Sequence, residues 1–357
     1  MNREELFSIR PEGPDNRIFN IIKDSFDSIA KPLDGFGDFE TLLSKIGAIQ
    51  GKTDPDTGKR AAVIFCGDNG IVEEGVSQSG KEVTLSVALA LGKGISTACT
   101  LGRACNTDII PVDIGIDSDE RIEGVLNRKV SRGTADFLKE RAMREDQALK
   151  AVSVGIELAR ELKDRGYGIL AAGEMGIGNT TTSAAVLSAL LNIDSDKVTG
   201  RGAGLDDRAL LRKKEVIRKA LQKYDIDSAD DPAERAFEIL LSFGGLDMAG
   251  IIGLIAGGAI HHVPVVLDGL ITAVSALLAE TMIPGVKEYL IASHRGREEG
   301  TGIALERLGL KPLLEGDMAL GEGTGAIMLF PLMDVMADLL KNAGRFEDYN
   351  MDRYKRF

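Results

Sequence analysis

The chain has 357 residues, 44% of them hydrophobic and 27% charged, with 43 Lys and Arg against 55 Asp and Glu. That length allows one large core or two domains, in a composition ordinary for a globular protein. The net charge of −12 argues against nucleic acid or an anionic membrane as main partner, since both reward clustered Lys and Arg.

A phosphorylated small molecule needs only local donors and stays open as a ligand. There is no Trp, so a base-stacking surface lacks its usual material. Cys66, Cys99 and Cys105 form no Cys-x-x-Cys pair, which fits buried thiols in a reducing cytoplasm. His261, His262 and His294 lack metal-ligand spacing, so no metal is expected. Met1 to Leu6 has no apolar signal core. The long apolar stretch from Met248 to Ile271 is interrupted by glycines, two histidines, Pro264 and Asp268, so no membrane span is expected.

Two amphipathic helices are predicted first, over Asp15–Ser28 and Phe39–Ile49, with a turn-rich linker at 51–58. The apolar run 61–65 predicts a strand that ends in Gly67-Asp68-Asn69-Gly70. Ligands bind at that edge of open parallel sheets, although a turn-forming Asp-Asn-Gly fits the same residues. The polar loop 74–84 leads into a helix over about 84–104; it suits either a binding loop or plain surface. A second strand is predicted over 109–113. The helix over 144–164 carries Leu149, Val152, Ile156, Ala159 and Leu162 on one face, with Gly166 just past its end.

The central stretch follows a strand over 168–172. It reads Gly-Glu-Met-Gly-Ile-Gly-Asn-Thr-Thr-Thr from Gly173 to Thr182 and enters a small, apolar helix. Gly176 and Gly178 let the backbone approach a ligand, and the unpaired N–H groups of a helix start favour an anion. Thr180, Thr181 and Thr182 add hydroxyls, and Glu174 stands beside that positive pole. No Gly-Lys-Ser/Thr follows at Walker spacing. An ordinary strand-to-helix turn packed with small residues has the same composition.

A second glycine-rich turn, 200–207, precedes a basic helix with Arg212, Lys213 and Lys214. It supplies a second wall and one Lys for a phosphate, the other charges being a solvated face. A glycine-rich helix is expected over 248–259. Strands are expected over 263–267, ending in Asp268-Gly269, and over 288–292, ending in Ser293-His294. A lone buried histidine of this kind is commonly structural. Finally Glu322 stands between glycines in Leu320–Gly325, before an apolar helix over 326–340 that contains Pro331. A carboxylate there suits a general base, or merely caps its helix. The recurring unit of strand, polar turn and helix predicts an α/β fold: a Rossmann-like parallel sheet flanked by helices.

Five motifs in this order, 173–181, 200–207, 244–247, 264–269 and 320–326, resemble the nicotinate-nucleotide–dimethylbenzimidazole phosphoribosyltransferase family over about residues 20–340. The resemblance implies a large catalytic domain over 60–335 and a small helical domain from 1–59 plus 336–357. It implies transfer of a phosphoribosyl group from nicotinate mononucleotide to an aromatic base. Glu322 matches the family's general base, and Glu174 is the neighbouring carboxylate that stabilises the reacting ribose. Gly176, Gly178, Asn179, Thr180, Thr181, Gly202, Gly204 and Lys213 would hold the nucleotide, and Ser77 and Lys81 the acceptor base. No metal or other cofactor is implied, and family members are cytoplasmic homodimers. The chain departs from the family's usual pattern at Asn69 (His), Lys81 (Gln), Asp136 (Asn) and Ala203 (Thr). Lys81 leaves a phenol or purine acceptor open, and a catalytically silent partner subunit is a further alternative.

Overall fold

The computed structural model describes residues 1–226 and 229–356. Six strands make the central sheet: β1 (Arg60–Gly67), β2 (Asp108–Gly115), β3 (Leu126–Asn127), β4 (Ile169–Met175), β5 (Val265–Leu267) and β6 (Leu290–Ala292). All pair in parallel, in the order β3-β2-β1-β4-β5-β6. The chain runs outward from β1 to β3 and then crosses back to β4, so the order reverses between β1 and β4. A crevice at the carboxyl ends of the strands is where such a sheet binds ligands.

Every residue of β1 is buried, as expected of a strand covered on both faces. Val63 and Phe65 point into one core, while Ala62, Ile64 and Cys66 point into another. The period of two distributes β4 and β5 in the same way, with Leu170, Ala172, Val265 and Leu267 on the first side and Ile169, Ala171 and Val266 on the second.

On the first face, helix Leu246–Ile260 crosses helix Glu145–Asp164 with backbones in contact. A Cβ at Gly155 would fall on the Gly250 carbonyl, and one at Gly253 on the Val152 carbonyl. On the second face lie Asn16–Ser28, Asp38–Gln50 and the long helix Thr324–Asn342. A separate parallel ribbon of β7 (His294–Gly296) and β8 (Leu314–Met318) closes the carboxyl end.

The structure corrects several expected boundaries. The single helix over about 84–104 is two helices, Glu82–Gly92 and Thr97–Ala104. Gly94 takes a left-handed φ of +72°, and Ser96 caps the second helix through the Cys99 N–H at 3.1 Å. Among the described residues, Glu82–Ala104 is the one stretch of membrane-spanning length and apolarity, with a mean hydropathy of 1.3. The expected strand 288–292 begins only at Leu290, after a 3₁₀ turn over Val286–Tyr289. Pro331 sits inside helix Thr324–Asn342.

Candidate active site

A cleft of about 280 Å³ opens at the carboxyl ends of β4 and β5. Its walls are the central loop 174–180, the turn 201–205, the start of helix Leu270–Met282, the β7 region, and the loop 318–324.

The two glutamate-bearing loops meet here. A Cβ at Gly173 would lie 2.8 Å from the Gly323 nitrogen, and one at Gly321 would lie 2.9 Å from Glu174 Oε1. Only glycine allows that approach. Glu322 itself adopts a left-handed φ of +56°, between Gly321 at +90° and Gly323 at +72°. That is a costly conformation for glutamate, and such strain gathers at functional sites.

Asp268, from the end of β5, holds this turn in place. Its carboxylate accepts the N–H groups of Gly323 at 3.1 Å and Gly325 at 2.7 Å, at the start of helix Thr324–Asn342. Burial nevertheless pushes the Asp268 carboxyl up to about 7. Glu322 is half-buried and accepts the Ala98 N–H at 3.3 Å. Burial raises its pKa against that hydrogen bond, which makes it a stronger base than an exposed glutamate.

Glu174 is buried at the end of β4. The Asn179 side-chain amide donates to it and also to Asp247 Oδ2, the latter at 3.2 Å. Burial, helped by the charges of Asp247 and Asp268, pushes Glu174 up to about 8. Asp247 rises to about 6, again chiefly through burial. Glu174 is therefore mostly protonated at neutral pH, and an arriving cation favours its ionised form.

Thr180, Gly202 and Lys213 converge beside the central loop. Lys213 Nζ donates to Thr180 Oγ1 at 2.9 Å. A Cβ at Gly202, which has a φ of +53°, would lie 2.7 Å from Thr180 Oγ1 and 3.5 Å from Lys213 Nζ. Lys213 is buried, which brings its ammonium down to about 8. The other expected nucleotide residues divide. Gly176, Gly178 and Asn179 line the cleft with Thr180 and Gly202, but Thr181, Gly204 and the buried Lys213 do not. Thr181 is buried, and the Gly204 carbonyl accepts from the Gln78 amide, tying loop 77–78 to the second glycine turn.

Ser77 and Gln78 line the cleft, whereas Lys81 does not. Lys81 is exposed and paired with Asp117, which also binds Arg132 at 3.0 Å. Asn69, at the family's usual histidine position, braces the central loop through the Ile177 carbonyl at 3.3 Å.

His294 is part of the cleft wall, although its sequence context marked it as structural. Ser293 Oγ donates to the Leu267 carbonyl at 2.6 Å, so its contact of 2.9 Å with His294 Nδ1 is one in which Ser293 accepts. Nδ1 thus carries the proton and Nε2 is an acceptor. Burial lowers the ring's pKa and keeps it neutral. A Cβ at Gly269 or Gly296 would lie 3.9 or 3.8 Å from Nε2. The Ser-His pair at a strand end was the only signal in the sequence. Among the described residues, the one cluster of possible metal ligands is Asp27, Asp34 and Glu40. It lies outside the cleft and is neutralised by Lys23, Lys31 and Arg356.

A family model described as a phosphoribosyltransferase matches residues 12–350. A nicotinate-nucleotide–dimethylbenzimidazole phosphoribosyltransferase of Clostridium perfringens is 40% identical over 341 residues, 96% of this chain and 93% of that protein. One from Clostridium acetobutylicum is 39% identical over 355 residues, covering 99% of each chain. The crystal structure of CobT from Thermus thermophilus superimposes with a TM-score of 0.87 at 35% identity, over 95% of this chain and 100% of that one. The chain belongs to the nicotinate-nucleotide–dimethylbenzimidazole phosphoribosyltransferase family.

Proposed function

We propose that the protein transfers the 5-phosphoribosyl group of nicotinate mononucleotide to 5,6-dimethylbenzimidazole or a related lower-ligand base. The products are α-ribazole 5′-phosphate and nicotinate, for cobalamin biosynthesis. The observation that carries this is the meeting of the Glu174 and Glu322 loops in a cleft whose wall includes Thr180, backed by the buried Lys213 ammonium, and Gly202.

In this mechanism Thr180, Gly202 and Lys213 hold the 5′-phosphate. Glu322 takes the proton from the incoming base nitrogen as the new C–N bond forms, which contributes roughly 10²–10⁴ in rate. Nicotinate departs from a cationic pyridinium and requires no strong acid. Positive charge then develops on the ribose, where ionised Glu174 stabilises it. His294 Nε2 accepts a hydrogen bond from a ribose hydroxyl. Ser77 and Gln78 face the acceptor base, while Lys81 acts from the rim through its pair with Asp117. The segments 1–59 and 336–357 form a small helical domain beside the catalytic one. The enzyme works in the cytoplasm as a homodimer, a state supported by the exposed apolar stripe of Met328, Leu332 and Val335.

The test is a product assay with nicotinate mononucleotide and dimethylbenzimidazole, adenine or phenol. Nicotinate release and α-nucleotide formation are expected with at least one base, and Glu322→Ala is expected to lower turnover by roughly 10² or more. Absence of nicotinate release with every base sinks the proposal.

A further inference from the structure

Glu298 occupies the N-cap position of helix Glu299–Leu308, yet its side chain does not cap that helix. Its backbone carbonyl accepts the Thr301 N–H at 3.0 Å. The carboxylate instead reaches the second glycine turn, where Oε1 accepts the Gly202 N–H at 3.0 Å. Gly200 makes the room: a Cβ there would fall on the Glu298 carboxylate. The turn is thus shaped around a carboxylate.

The Gly202 N–H belongs to the same cradle as Thr180 Oγ1 and Lys213 Nζ. A phosphate oxygen and the Glu298 carboxylate both seek that single donor, and two anions in contact repel. Binding phosphate there requires Glu298 to leave. Its place at the head of a helix supplies a second set of donors, the unpaired N–H groups of its own first turn.

We propose that Glu298 is an internal anion that competes for the phosphate cradle and weakens every phosphate ligand alike, so that a ligand must bring further contacts to bind. A nucleotide also binds through its ribose and ring, and this surplus displaces the carboxylate. Inorganic phosphate has no such surplus. The proposal rests on the assignment of this cleft to a nucleotide phosphate.

The test is calorimetric titration of inorganic phosphate, at pH 7, into wild type, Glu298→Gln and Glu298→Asp. Glu298→Gln removes the charge. Glu298→Asp shortens the side chain by one methylene, keeps the charge and is the better N-cap, which guards against a misfolded first variant. Both should bind phosphate roughly tenfold more tightly than wild type, the scale of one charge-assisted hydrogen bond. Phosphate should likewise become a stronger inhibitor of nicotinate release. If neither folded variant binds phosphate more tightly, the role of Glu298 is overturned. Loss of nicotinate release in the wild type would instead overturn the assigned reaction, a separable result because phosphate binding is read without turnover.

Discussion

Glu174 is a buried acid whose pKa lies at about 8, and two consequences follow at the scale of this one residue. The first concerns ligand binding. At pH 7 the free carboxyl is protonated, and the cationic ring of nicotinate mononucleotide favours the ionised form, so binding should release on the order of one proton. Calorimetry in buffers of different ionisation enthalpy measures that number, and Glu174→Gln should abolish the buffer dependence. The second concerns stability. The folded pKa is raised from 4.5 to about 8, so the folded state holds the extra proton between these values. Its contribution is full below about 4.5 and is lost as pH rises through about 8. Thermal melts should show wild type losing stability from pH 5 to pH 9 more steeply than Glu174→Gln. The candidacy of Glu174 and Glu322 was legible from the glycine-rich turns that carry them, Gly173-Glu174-Met175-Gly176 and Gly321-Glu322-Gly323. Their environment was not, because Asp247 and Asp268, which raise Glu174, lie far along the chain. The Glu298–Gly202 contact spans 96 residues and was equally hidden.

Among elements, the joint between β4 and the loop 321–323 is the most exacting. Gly173→Ala would place a methyl 2.8 Å from the Gly323 nitrogen and 3.0 Å from its Cα, against backbone that cannot rotate away. Overpacking of this kind should cost about 1–3 kcal/mol. Because the displaced loop carries Glu322, turnover should fall by a larger factor than stability alone explains. Denaturant midpoints and nicotinate release measure the two effects. Gly13→Ala, with nothing within 4 Å of the new methyl, is the control and should change neither. Elements with short apolar runs and flanking glycines were legible in the chain, as β1 and β4 demonstrate. The break between Glu82–Gly92 and Thr97–Ala104 was not, because Gly94 and Ser96 sit between two apolar segments and only the backbone angle reveals the turn. The ribbon of β7 and β8 was missed for another reason. His-Arg-Gly and Leu-Glu-Gly-Asp-Met have no apolar alternation, so pairing rather than pattern makes them strands.

For the whole molecule, the α/β class was readable because the central strands β1, β4, β5 and β6 are buried on both faces and so appear as short apolar runs. Assembly is less visible in a chain, since a helix that is apolar nearly all round has two faces to account for. Helix Thr324–Asn342 buries Ile327, Phe330 and Met333 against the sheet and leaves Met328, Leu332 and Val335 exposed on the other side. Val335→Glu combined with Leu332→Lys should convert a dimer to a monomer in sedimentation velocity, while a native dimer insensitive to both changes would place the interface elsewhere.

The alternation of β1 and β4 between two cores has a consequence for heat tolerance. Helix Asn179–Leu191, which follows Glu174, is anchored in one core through Ala184 to Leu187, whereas Ala326 and Ile327 anchor the segment after Glu322 in the other. The two carboxylates are thus fastened to opposite sides of one sheet, like the jaws of a caliper riveted to separate plates. Small relative movements of the two sides on warming would change the gap between the jaws before any strand is lost. Nicotinate release is therefore expected to fall below the melting temperature, and activity and circular dichroism followed along one temperature ramp would check it.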